Sequence, residues 1–196
     1  AASDVYKRQA IGLGFLGRGR KWSALRTGVL HVIAAALGGG IMGATIGLIG
    51  KWLPLAWHPW TLGLVTVYAV VVGLWRGPAT LGRHHQVPRC WARQMPTGLV
   101  YIVWGLMLGS GVVTLIPHSA FVVLLGAQLI AGPVLGFISG VVFGALREGP
   151  SLMQLAYPGD PAQTGRVLVA LQTTARYLNA AIALGGGLAL LLVGCL

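Results

Sequence analysis

Apolar positions in this chain come in long unbroken runs, not in the alternation of a half-buried strand. A helix needs about 20 such residues to cross a hydrocarbon core about 30 Å thick. Four runs qualify and a fifth is slightly short. They are Leu25–Gly50, Trp60–Trp75, Thr97–Ile116, Ser119–Leu146 and Tyr177–Leu196. Arg26 and Lys51 bound the first, and Arg76 and Pro78 close the second. Pro96 and Pro117 bracket the third, Arg147 closes the fourth, and Arg176 precedes the fifth. The pattern predicts an all-α, polytopic transmembrane helix bundle of five spans.

Charge orients those spans. Arg18, Arg20, Lys21 and Arg26 lie at the start of the first. Arg76, Arg83, Arg89 and Arg93 separate the second from the third, and Arg147, Arg166 and Arg176 separate the fourth from the fifth. The opposite side holds only Lys51. Basic loops face the cytoplasm, so the N-terminal side reads as cytoplasmic and the C-terminus as non-cytoplasmic, in a bacterial-type inner membrane. Trp52, Trp57, Trp60, Trp75 and Trp91 fall near span ends, at the depth the indole ring prefers.

Composition removes other classes. Of the residues, 56% are hydrophobic and 9% charged, too little polarity to cover a soluble domain. The net charge of +11 does not indicate nucleic acid, because the basic residues sit at span ends and form no aromatic-interleaved patch. The expected partner is the lipid bilayer, with a homo-oligomer or a membrane partner protein possible in addition. Cys90 and Cys195 make no disulfide framework or zinc motif. Ala1–Gln9 (AASDVYKRQ) is polar and unlike the rest. It reads as a non-native leader or a native tail, leaving residues 10–196 as a single transmembrane domain. If it is non-native, Ala10–Gly17 is the tail of a lost helix.

Glycine recurs every four residues in two spans: Gly39, Gly43 and Gly47 in the first, then Gly132, Gly136, Gly140 and Gly144 in the fourth. Residues four apart share a helix face, and a face without side chains lets another backbone approach closely. Tight packing and a sliding interface both fit. With a lost first helix the chain becomes three plus three spans, each half carrying its stripe on the middle helix. That is an inverted-repeat arrangement.

The helix order, the glycine-rich spans and the segment GLMLGSGVVTLIP (Gly105–Pro117) resemble the transmembrane disulfide-reductant conductors of cytochrome c biogenesis and their wider superfamily of small-solute exporters. The resemblance implies six helices in two inverted halves. It also implies a cysteine beside prolines in the first and fourth helices. The fourth-helix motif falls at Thr114, Leu115, Ile116 and Pro117, which hold no cysteine. Thiol exchange needs a thiolate in direct reach of a disulfide, so the redox relay cannot run in this chain as written.

Polar residues within the spans mark a candidate substrate path: Gln128, Thr114, His31, Ser110 and Asn179, with Thr45 and Ser139 weaker. An amide such as Gln128 needs a partner in hydrocarbon, on a neighbouring helix or a substrate. His31 lies about one turn inside the first span, and fits a helix–helix bond or a titrating group. The acids are Asp4, Glu148 and Asp160, all placed outside the spans, so carboxylate-coupled transport is not expected. Pro117-His118-Ser119 reads as a tight turn or a broken-helix site at depth, and Gly132-Pro133 as a second break. His84, His85 and Cys90 match no standard metal spacing. No metal, cofactor or catalytic set is assigned. The leading expectation is a transporter-like protein for a small solute or reductant. The alternative is a membrane scaffold docking partner helices through its glycine stripes.

Overall fold

A computed structural model describes residues 21–75, 94–111, 120–156, 177, 180–189 and 192, and among them there is no strand. Helix α1 (Lys21–Gly50) contains no proline, so every backbone N–H in its interior can keep its partner. Past Gly50 the chain tightens: Lys51 and Trp52 donate to the carbonyls of Leu48 and Ile49. Pro54 then opens a 3-10 turn over Leu55–Trp57. Helix α2 (His58–Trp75) follows, with Pro59 in its first turn, where a missing N–H costs nothing. Helix α3 (Thr97–Ser110) starts after Pro96 and stops at Gly111. Gly111 takes a left-handed conformation (φ 71°) and returns its N–H to the Leu108 carbonyl. Helix α4 covers Ala120–Ala156 and contains one non-helical residue, Gly132, with φ 80° and ψ 176°. Helix α5 is Ala180–Ala189. Leu25–Gly50, Leu55–Val72 and Ala120–Gly149 are long and apolar enough to cross a membrane, as in an integral membrane protein.

The break at Gly132 is a reversal. The rings of Phe121 and Phe143 have centroids 4.7 Å apart. A continuous helix separates those positions by about 33 Å. Nearer the break, Gln128 Nε2 lies 3.2 Å from Ser139 Oγ, where an unbroken helix leaves about 16 Å. The arms 120–131 and 133–156 therefore fold back against each other, with Gly132 and Pro133 at the bend. Only glycine takes the φ of this bend without strain, and proline after it supplies no N–H to continue the first arm. The run Ser119–Leu146, long and apolar enough for a span by length and composition, is thus divided between two arms. It is a half-helix, rising about 18 Å over residues 120–131, followed by a longer arm that continues past Arg147 to Ala156.

α1 is the central helix. A Cβ on Gly39 would strike the Gly140 carbonyl, one on Gly43 the Gly136 carbonyl, and one on Gly47 the Gly132 backbone. A Cβ on Gly144 would strike the Ala35 carbonyl. Each step of four up α1 is matched by a step of four down the 133–156 arm, so the two run antiparallel, stripe against stripe. α3 packs on another side of α1 and runs parallel to it: Gly105 abuts the His31 carbonyl and Gly109 the Ala35 carbonyl. In a bilayer such contacts are held by dispersion between close backbones, since lipid removes the hydrophobic drive for helix association.

Depth follows from these pairs. α3 ends beside Ala35 and Gly38, midway along α1. The 120–131 arm begins beside Phe143, at the same level. α3, of 14 residues, rises about 21 Å, too short for a crossing by itself. α3 and the 120–131 arm thus lie one after the other along α1, the first ending and the second beginning at the level of Ala35. The span read as Thr97–Ile116 is therefore described as helix only to Ser110, and residues 112–119 lie outside the described set. α2 lies against the 120–131 arm through Val65 and Gly126, and against α5 through Thr66 and Gly187. Ala69, Val123 and Ala183 form the small core between them. Ile33, Leu37, Ile41 and Leu48 of α1 are exposed, the face a bilayer would cover.

Candidate functional site

Following the α1–α4 register past the glycines leads to two polar residues. One step of four below Ala35 is His31, and one step beyond Gly144 is Glu148. Their side chains meet: His31 Nε2 and Glu148 Oε2 are 3.2 Å apart. Both are buried, at 2% and 4% exposure. The second imidazole nitrogen, Nδ1, is 3.1 Å from the Tyr101 carbonyl oxygen on α3. Gly105 makes that approach possible. The Tyr101 carbonyl points along α3 toward residue 105, and a side chain there would collide with α1 at the His31 carbonyl and Ala34. Arg147 Nε lies 3.8 Å from Glu148 Oε1, and its guanidinium lies 5.9 Å from the Phe143 ring centroid. The Tyr101 ring stands edge-on to the imidazole at 6.1 Å. Three helices thus converge on one buried acid–base pair.

This corrects the sequence reading in one respect. Glu148 is not in a loop outside the spans. It lies in the apolar stretch Ala120–Gly149, on the face that carries the glycines. Arg147 had marked the end of that span, but its guanidinium turns back toward Glu148 and the Phe143 ring while the helix continues to Ala156. The signal for Glu148 was available: it is the next member of the four-residue stripe 132, 136, 140, 144.

A second polar group sits nearer the bend. Gln128, 4% exposed, donates through Nε2 to Ser139 Oγ, and Ser139 donates to the Gly136 carbonyl at 3.1 Å. One amide N–H is therefore paired within α4, across the reversal. The chain Gln128–Ser139–Gly136 fixes the two arms to each other beside Gly43. The remaining candidates are scattered. Half-buried Ser110 bonds the Met107 carbonyl at 2.9 Å, one turn back at the end of α3. Thr45 is exposed and bonds the Ile41 carbonyl. Thr114 and Asn179 lie outside the described residues, as do Pro117, His118, His84, His85, Cys90 and Cys195. All seven stripe glycines lie in the α1–α4 seam. The polar residues thus form two sites, Gln128–Ser139 by the bend and His31–Glu148 at the far end of the seam. From Ser139 to Glu148 the helix rises about 13 Å.

Neither a family model, nor a curated protein, nor a solved structure matches this chain.

Proposed function

We propose that this chain is a transporter-like membrane protein that passes a small solute along a path beside the Gln128–Ser139 bond. The observation that carries the reading is that α3 ends and the 120–131 arm begins at one level, halfway along α1, which makes the two together one interrupted crossing. Half-helices ending at mid-membrane are how many transporters bring helix termini and free backbone groups to a solute. Irregular backbone at that depth is stable only inside protein or beside a water-filled cavity. Ser110 and Gly111 end one half-helix, and Gln128 belongs to the other.

The interruption falls in the segment through which the chain resembles the disulfide-reductant conductors, and this supports kinship with that superfamily. The antiparallel match of the two glycine stripes supports an inverted-repeat ancestry. The missing cysteine at Thr114–Pro117 favours a solute over a reductant. The scaffold reading has less support, because the glycine stripes that were to dock partner helices are covered by each other. The basic ends of the spans support a cytoplasmic N-terminal side in an inner membrane.

Thiol accessibility tests the path. In a background with Cys90 and Cys195 replaced by serine, Ser139→Cys should react with a water-soluble, charged methanethiosulfonate in proteoliposomes. Ile138→Cys is the control, because Ile138 is 53% exposed on the outer face of the same turn. A lipid-facing thiol forms no thiolate and stays inert. The expected result is at least tenfold faster labelling of Ser139→Cys. Equal, negligible labelling of both would exclude a hydrated path there.

A further inference from the structure

We infer that His31 and Glu148 form a membrane-embedded proton-binding site, which holds one shared proton while the α1–α4 seam is closed and exchanges it when the seam parts. This deepens the transport reading, on which it rests, by naming the proton as the coupling ion.

The hydrogen-bond partners constrain the proton count. A backbone carbonyl can only accept, so His31 Nδ1, facing the Tyr101 carbonyl, carries a hydrogen. One proton then belongs in the gap between Nε2 and Oε2. Either an imidazolium donates to a carboxylate, or a carboxylic acid donates to a neutral imidazole. Both arrangements contain the same single proton. Without it, a carboxylate faces an imidazole lone pair. With a second, Oε2 can still accept from Nε2–H only if the carboxyl hydrogen sits on Oε1, which faces the Arg147 guanidinium. The first alternative repels across 3.2 Å and the second turns an O–H toward Arg147, so closed helices favour the singly protonated pair. When the helices part, each group meets water separately and a proton can leave or enter.

The surroundings agree. From α4 the facing charged group is Arg147, whose Nε lies 3.8 Å from Glu148 Oε1. From α3 the facing titratable group is Tyr101, whose hydroxyl is hydrogen-bonded to Thr27 of α1. A buried ion pair is a poor source of stability, because desolvation offsets the attraction and well-packed apolar side chains often do better. Ionisable groups within spans characteristically serve proton or ion movement. At Gly39, Gly43 and Gly47 the nearest atoms across the seam are backbone carbonyls, with the Gln128 amide beside Gly43.

Glu148 is the sole glutamate of the chain, which makes a direct test possible. Protein labelled with δ-13C glutamate and ring-15N histidine, in lipid bilayers, is titrated by solid-state NMR. The Glu148 carboxyl signal and one histidine ring signal should change together in a single step, as coupled groups do. In His31→Gln the carboxyl step should move by at least tenfold in proton concentration. A Glu148 signal that is constant with pH, or that titrates identically in His31→Gln, overturns the proposal. If His31→Gln does not insert, the wild-type titration alone decides, because an unchanging carboxyl signal suffices to reject it. Labelling of Ser139→Cys together with a pH-silent Glu148 would keep the path and remove the proton. Titration without labelling would keep the site and remove the path.

Discussion

The two ends of the α1–α4 seam share one register and are held by different physics. From Gly39 to Gly47, the helices meet through bare backbone, and stability comes from many weak dispersion contacts at close range. At the other end one side-chain hydrogen bond, His31 to Glu148, ties α1 to α4 and a second, from His31 to the Tyr101 carbonyl, ties α1 to α3, and each bond matters individually. The glycine end tolerates no added atoms but makes no chemical demand. The polar end has side chains on both helices, and its demand is for partners. The difference teaches that a small-residue stripe sets where two membrane helices lie, while the polar residue that continues the stripe sets what their separation would do.

Bulk should break the glycine end most severely. Gly43→Leu places a side chain against the Gly136 carbonyl and the Gln128 amide. A loss of about 3 kcal/mol is expected, the upper part of the usual overpacking range, measurable as earlier unfolding in mixed micelles. Wild-type stability in that variant would mean the stripes do not face each other. At the polar end the expected loss is smaller. Glu148→Leu leaves His31 Nε2 without its partner and should cost about 2 kcal/mol. If His31→Leu is added, both polar groups are gone and part of that loss should return. Losses that simply add in a double-mutant cycle would show that the two side chains do not interact. Gln128→Leu should have the least effect, about 1 kcal/mol, because one interhelical hydrogen bond in a membrane is worth little. A larger loss would make the Gln128–Ser139 bond the main tie between the arms.

Much of this was legible in the chain itself. Apolar run lengths announced the all-helical fold, and the spacing of Gly39, Gly43, Gly47 and their counterparts marked the close-packed face. Gly132-Pro133 was recognisable as a break. Its reversal was not, because hydropathy continues unchanged through the bend and records no direction. For the same reason the 120–131 half-helix was merged with the arm that follows it. Glu148 was passed over because Arg147 reads as a span end, although the four-residue period runs through it. Gln128 was recognisable as needing a partner, but pattern could not show that Ser139, eleven residues onward in the same run, would supply it.

The fold-back at Gly132 is the claim on which the interrupted crossing and the depth of both sites depend. Spin labels at Phe121→Cys and Phe143→Cys, in the cysteine-free background, test it directly. The account predicts strong dipolar broadening of the doubly labelled spectrum relative to the two singles, because the native rings touch. An unbroadened spectrum with a pulsed-EPR distance near the ~33 Å of a continuous helix would contradict it.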